Sequence, residues 1–355
     1  MTVQAKIPSS ATIERLMAHH VGDVRARGIR FALQLPGGGG TLDHGERDSV
    51  TRAELALALA GLLFDDVQRR VPIARAYVED AARAGTPLTF DHGALRTVAA
   101  DCGALPAGHL AFARLLEPLG YELAATYDLE QISMTGFAYA HADFPEETPQ
   151  YFVSELHPER FSEGFQAAVS RVVSKSKDPV SHRSAQALER LAAAGSAPFG
   201  EAADVLTNLV AAFDRQHEEP TLTDYETLLA ESAEMAWIST EGNAFNHATD
   251  RVPDVFTVAE QQKRLGRPMK DSVEISANGN VKQTAFRATS IERLFLSPEG
   301  HMVVRKVPGS FHEFITRERL EDGSLDLTFD AGNATSIFKM TSAGGDAPPT
   351  DAKSA

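Results

Sequence analysis

Apolar and polar positions along this chain fall into blocks with two different periods. The first blocks are helical. S-S-A-T-I-E-R-L-M-A-H-H sets cap residues ahead of an apolar stripe, and T-R-A-E at 51–54 matches a capping box. Apolar positions then recur at helical spacing to about residue 84, where Gly85 and Pro87 end the run. L-P-A-G-H-L-A-F-A-R-L-L-E-P-L-G, from residue 105, reads as a further helix ending at Gly120. Q-I-S-M-T-G-F-A-Y-A-H-A-D-F and Q-Y-F-V-S-E-L-H-P then read as strands, the second closed by proline.

Helical spacing returns from about 158 to 236, in F-S-E-G-F-Q-A-A-V-S-R-V-V, S-A-Q-A-L-E-R-L-A-A-A and F-G-E-A-A-D-V-L-T-N-L-V-A-A-F. T-D-Y-E-T-L-L-A-E-S-A-E-M-A-W follows, with Thr223 or Asp224 as its expected cap. From about 237 the pattern turns to strands. D-S-V-E-I-S-A-N-G-N-V-K-Q-T-A-F-R-A-T is a hairpin signal with Asn278-Gly279 at its turn. H-M-V-V-R-K-V, S-F-H-E-F-I-T-R-E-R-L and L-D-L-T-F-D follow. P-G-G-G-G at 36–40 reads as a flexible loop and the tail at 341–355 as disordered. No clean sequence repeat is visible. The order of helices, strands, helices and strands predicts an α+β fold, an antiparallel sheet covered by helical insertions. We expect one domain over 1–340 with a helical insertion at about 158–236.

Charge and composition narrow the partners. A net charge of −15 argues against nucleic acid or an anionic membrane surface. The single cysteine, Cys102, excludes an intrachain disulfide and a cysteine-built zinc site, and no activating base stands beside it. The N-terminus lacks the apolar core of a signal peptide, and the run at 53–64 is too short to span a bilayer. These features predict a soluble cytoplasmic protein. G-x-S-x-G and P-loop patterns are both absent.

One stretch raises a chemical question. T-F-D-H-G-A-L-R-T-V, residues 89–98, sets His92 and Arg96 four positions apart. On a helix or on a strand the two share a face. That suits a metal ligand beside an anion clamp, and it suits a surface salt-bridge pair equally well. His247 sits beside apolar strand residues in N-A-F-N-H-A-T-D-R-V. Glu313, between apolar neighbours in S-F-H-E-F-I-T, needs a positive partner if buried, either a cation or Arg287, Arg305 or Arg317. His312 would alternate to the opposite face. Two imidazoles and a carboxylate form the ligand set of non-haem Fe(II) oxygenases. The separations are too long to decide between that reading and an ordinary core. His19 and His20 lie on the first amphipathic helix. His109, His141, His157, His182, His217 and His301 fall in loops or on helix faces, where an ordinary structural role competes at least equally with a functional one.

Four blocks in order, T-F-D-H-G-A-L-R-T-V, Y-F-V-S-E-L-H-P-E-R-F-S, G-N-A-F-N-H-A-T-D-R-V and G-S-F-H-E-F-I-T-R, resemble the 2-oxoadipate dioxygenase/decarboxylase family over about residues 50–340. The resemblance implies a vicinal-oxygen-chelate-like β core, a partly closed barrel, in a single catalytic domain. It implies Fe(II) held by His92, His247 and Glu313, with Arg96 holding the distal carboxylate of the substrate. The implied partners are a small 2-oxo acid and O₂. The acid chelates iron through its carboxylate and keto oxygens, CO₂ leaves, and the adjacent carbon is hydroxylated. 2-Oxoadipate would become 2-hydroxyglutarate. Alternatives on the same scaffold are a metal-dependent isomerase or lyase, a dioxygenase for another 2-oxo acid, and a non-catalytic binding protein. Longer family members carry a V-S-A-A-G-I-F-like segment against the substrate. The nearest match here is A-G-N-A-T-S-I-F, where Gly332 and Asn333 stand in place of valine and serine, so an altered pocket end is expected. Gln283 is a further candidate behind the metal ligands or on the O₂ side.

Overall fold

The computed structural model describes residues 7–36, 48–330 and 332. Four helices and a short strand come first: α1 (Ser10–Val21), α2 (Asp23–Ala32), β1 (Ser49–Thr51), α3 (Arg52–Arg70) and α4 (Pro72–Ala84). The capping box is present: Thr51 accepts from the Glu54 amide while Glu54 accepts from the Thr51 amide. The long run expected to reach residue 84 is two helices, because Pro72 has no amide hydrogen to continue α3 and instead opens α4.

Next comes β2 (Phe90–Val98), then α5 (Leu110–Leu116) and a hairpin-connected set, β3 (Tyr121–Leu129), β4 (Met134–His141) and β5 (Gln150–Leu156). The T-F-D-H block is therefore a strand. α5 ends on a short 3₁₀ turn capped by Gly120, as expected. β3 carries no clear alternation in Y-E-L-A-A-T-Y-D-L and went unread in the sequence.

The helical stretch runs a little later than its expected 158–236 bounds: α6 (Glu163–Val173), α7 (His182–Ala194), β6 (Ser196–Pro198), α8 (Phe199–Ala212), α9 (Leu222–Glu231) and α10 (Ala233–Glu241). Thr221, rather than Thr223 or Asp224, caps α9. The chain then breaks at Ser232, which caps α10. The expected strand start at 237 thus falls inside α10.

The last part contains β7 (His247–Arg251), α11 (Val255–Arg264), β8 (Glu274–Ile275), β9 (Val281–Ala285), β10 (Ser290–Leu296), β11 (Met302–Pro308) and β12 (Phe311–Arg317). α11, missed in the sequence, is capped by Asp254, whose carboxylate accepts from the amides of Phe256 and Thr257. β8 and β9 form the expected hairpin, with Gly279 at φ +77 in its turn. L-D-L-T-F-D belongs to no strand, and only Leu325 makes an isolated bridge, to Arg319.

Eight strands form one curled half-barrel sheet in the order β3-β4-β5-β2-β7-β12-β9-β8. Within the expected antiparallel sheet two strand pairs are parallel. β2 pairs parallel with β5, and β12 parallel with β7. The sheet is two βαβββ units, β2-α5-β3-β4-β5 and β7-α11-β8-β9-β12, joined where β2 and β7 run antiparallel. The ribbon β10–β11 is an excursion of the second unit. This internal repeat leaves no trace in residue identities.

The two faces of the sheet are covered differently. The face carrying Leu95, Val153 and Ala248 packs on α1, α3, α5, α7 and α8. The other, here called the inner face, carries Ala94, Ala138 and Phe152 and packs on α6, α9, α10 and the ribbon. Among the described residues no helix is long and apolar enough to cross a membrane. The tail at 341–355 and most of the loop at 36–40 lie outside the described residues.

Candidate metal centre

The junction of the two units sets the candidate ligands side by side. His92 on β2 lies opposite Thr249 on β7, and Thr249 lies opposite Glu313 on β12. His247, two residues before Thr249, lies opposite Ala94. Period-2 alternation turns all of them to the inner face. Ligand-type atoms of His92, His247 and Glu313 lie within 4.8 Å of one another. Glu313 Oε2 is 3.3 Å from His247 Nε2 and 3.5 Å from His92 Nε2. The three residues are 3%, 4% and 1% exposed.

Their electrostatics favour a bound cation. Burial and the nearby His92 and Arg96 charges push the His247 imidazole down to about 3, against the pull of Glu313, so it stays neutral at ordinary pH. Burial would raise the Glu313 carboxyl, but His247, His92 and the Thr249 hydroxyl hold it below its ordinary value. Burial likewise opposes charge on His92, yet hydrogen bonds to Asp91 and Glu313 raise its pKa. Buried Glu313 Oε1 and both His247 ring nitrogens have no hydrogen-bond partner among the described residues. Orphaned buried polar atoms are costly. A cation shared by two imidazoles and a carboxylate would remove that cost. The donor set therefore fits a divalent metal.

Asp91, the residue before His92, went unread in the sequence. Regular alternation would send it to the opposite face. A bulge between Phe90 and His92 breaks the alternation, and the Asp91 carboxylate reaches His92 Nδ1 at 2.9 Å. That bond leaves Nε2 as the ligand atom. Burial opposes the Asp91 charge, but Arg317 and His92 overrule it and hold the carboxyl far below its usual range. Arg317, weighed as a partner for Glu313, instead pairs with Asp91 at 2.9 Å. Arg287 pairs with Asp271, and Arg305 is exposed and donates to its neighbour's carbonyl.

Arg96 lies further along β2 on the same inner face, fully buried. Its guanidinium carbon is 5.0 Å from the Trp237 ring of α10. Burial lowers its pKa to about 10 while the Glu234 charge supports it, so it remains cationic at neutral pH. Trp237 and Glu234 are buried neighbours of Arg96 that helical periodicity alone could not separate from the rest of the core.

Residues 63–331 match the family described as 2-oxoadipate dioxygenase/decarboxylase. The chain belongs to the 2-oxoadipate dioxygenase/decarboxylase family. A chloroplastic 2-oxoadipate dioxygenase/decarboxylase of Arabidopsis thaliana is 26% identical over 145 residues, which are 35% of this chain and 38% of that protein. The chain thus aligns with well under half the length of that relative. A crystal structure of a Ralstonia eutropha JMP134 protein, described as of the glyoxalase superfamily, is 53% identical, covering 91% of this chain and 99% of that one, with a TM-score of 0.85. The hydroxyglutarate synthase of Oryza sativa, solved with 2-oxoadipate, shares the fold at 19% identity. It covers 86% of this chain and 98% of that one, with a TM-score of 0.63.

Against this family background the remaining candidates divide. Gln283 faces inward on β9, two residues from the partner of Glu313, and its amide reaches Glu274 at 3.5 Å. Gly332 is exposed, and Asn333 lies outside the described residues. His312 alternates outward as expected, buried among Phe64, Tyr77, Phe286 and Phe314. His141 is buried at the end of β4 rather than in a loop. Cys102 is buried and its thiol pushed up to about 11 by that burial, which fits an inert role. An open cleft of about 740 Å³ is lined by neither the triad nor Arg96.

Proposed function

We propose that the protein is an Fe(II)-dependent dioxygenase that decarboxylates and hydroxylates a 2-oxo diacid, with 2-oxoadipate, O₂ and their products 2-hydroxyglutarate and CO₂ as the best match. One observation carries the reading. Two imidazoles and a carboxylate converge on the inner face, and a buried arginine shares that face on the same strand. Strand geometry sets the Cα atoms of His92 and Arg96 roughly 13 Å apart. That spacing suits a diacid gripped at both ends.

His92, His247 and Glu313 would hold iron, which when bound supplies chelation of the 2-oxo acid and activation of O₂. The chain's own residues do the rest. Asp91 fixes the His92 tautomer by accepting from Nδ1. Thr249 donates at 2.8 Å to Glu313 Oε2, the oxygen that faces both imidazoles, and so holds the carboxylate in place. Arg96 pairs with the distal carboxylate, and its planar fork suits two-point recognition better than a lysine would. The Trp237 ring and the apolar inner face exclude water, which strengthens that pairing.

The test is a panel of 2-oxo acids of varied length and terminal group, assayed with anaerobically reconstituted iron for O₂ uptake, CO₂ release and the hydroxy acid formed. Equal O₂ and CO₂ with preference for diacids is expected. Turnover that needs no O₂ would overturn the reading and favour an isomerase or lyase.

A further inference from the structure

Beyond β12 the chain turns back over the inner face as an irregular strap, residues 325–330. The Phe329 ring meets the His92 ring at 4.9 Å and 88°, and meets the Phe152 ring at 4.9 Å. In the repeat, Phe152 on β5 occupies the position that Glu313 occupies on β12. Where a symmetric site would have a fourth ligand, this protein therefore has a wall of two phenylalanines.

The strap joins the chain after β12 by one isolated bridge, Arg319 to Leu325, and by the Asp326 amide donating to the Glu318 carbonyl at 2.9 Å, and the rest of its bonds involve side chains. The Leu325 amide donates to Glu146 at 3.0 Å, the Phe329 amide donates to the Tyr127 hydroxyl at 2.9 Å, and Gln150 donates to the Leu327 carbonyl at 3.2 Å. Its main fastening is Arg317. Nη1 donates to the carbonyls of Asp326 and Thr328, both at 2.8 Å. Nε and Nη2 of the same guanidinium donate to Asp91 at 3.0 and 2.9 Å. Asp91 in turn accepts from His92. One fully buried guanidinium thus holds both the carboxylate that orients a metal ligand and the backbone that carries the ring over that ligand.

We propose that Arg317 is a positioning residue that couples the strap at 325–330 to the orientation of His92, so that cation binding and strap closure stabilise each other. The proposal rests on the triad being a cation site. Coupling of this kind is reciprocal, so it is readable from either end. A segment fastened by separate bonds and one bridge, not by a continuous ladder, can open locally without the sheet, which leaves room for a ligand to slow its exchange.

The experiment is hydrogen exchange of the 325–330 amides in the full-length protein, with and without Mn(II), alongside the Mn(II) dissociation constant. Mn(II) is a divalent ion suited to the same nitrogen and oxygen donors without requiring O₂ chemistry. In the native protein Mn(II) is expected to slow strap exchange. Arg317→Lys keeps the charge but loses the fork, and should weaken Mn(II) about 10–100-fold and abolish the slowing. Phe329→Ala leaves every Asp91–Arg317 bond in place. It should still weaken Mn(II), by the factor through which Mn(II) shifts strap opening, and it decides the matter if Arg317→Lys does not fold. Strap exchange unchanged by bound Mn(II), or unchanged Mn(II) affinity in Phe329→Ala, overturns the coupling alone. No Mn(II) uptake by the native protein overturns the cation site and the coupling with it.

Discussion

Under the proposed function, Arg96 is the side chain at which burial would become selectivity. Its charge is desolvated, so a carboxylate arriving beside it gains far more than at the surface. Arg96→Ala should raise the KM for a diacid on the order of 100-fold, from the loss of a charge-assisted pair, while the bound metal remains. Unchanged diacid KM would remove the clamp role. Asp91→Asn should weaken metal binding about 10–100-fold, measured by competition with a chelator, because the amide can present its NH₂ to Nδ1 and disturb the tautomer. Equal affinity in both forms would show that Asp91 only pairs with Arg317. The two residues also mark what was legible. Arg96 was visible because four positions share a face on helix and strand alike. Asp91 was hidden because a bulge, which no pattern of apolar positions signals here, reversed its side.

β2 carries the most information of any element, and it was the hardest to assign. All nine of its residues are buried, so it lacks the alternation that identifies a half-exposed strand. Its neighbours explain Gly93. A Cβ there would stand 2.2 Å from the ring of Phe245, two residues before His247. Gly93→Ala should therefore cost about 1–3 kcal/mol through overpacking, read by urea unfolding, with loss of metal affinity as His92 and His247 are displaced. A variant as stable as the parent would show that Phe245 yields freely. The helices were more legible, since capping chemistry is local: Thr51 and Glu54 cap α3 as their spacing implies. Where local signals compete, they mislead. Thr221, Thr223 and Asp224 all qualify as caps for α9, and only packing selects Thr221.

At the scale of the molecule, sequence pattern yielded the α+β class but not the doubled unit, because the two halves share strand order without sharing residues. Glu313 in one half corresponds to Phe152 in the other. The triad itself spans residues 92 to 313, a separation that no short motif covers, and only the ordered blocks of a family resemblance made it visible. Acid sensitivity is also a whole-molecule property. His141 accepts from the amides of Asp143 and Phe144 through Nδ1, and burial pushes its pKa down to about 4. The unfolded chain takes up that proton first, near pH 6.5. The stabilisation is thus complete above pH 6.5 and is lost as pH falls toward 4, by on the order of 3 kcal/mol. His141→Gln, which keeps an acceptor, should flatten the fall in unfolding free energy measured between pH 6.5 and 4. An unaltered slope would assign the sensitivity to other groups. The junction of β2 and β7 has a last consequence. His92 belongs to one half and His247 and Glu313 to the other, so an ion bound at this point would act as a rivet across the seam of a duplicated architecture. Stripping it would loosen the two halves from each other before either lost its own hydrogen-bonded strands.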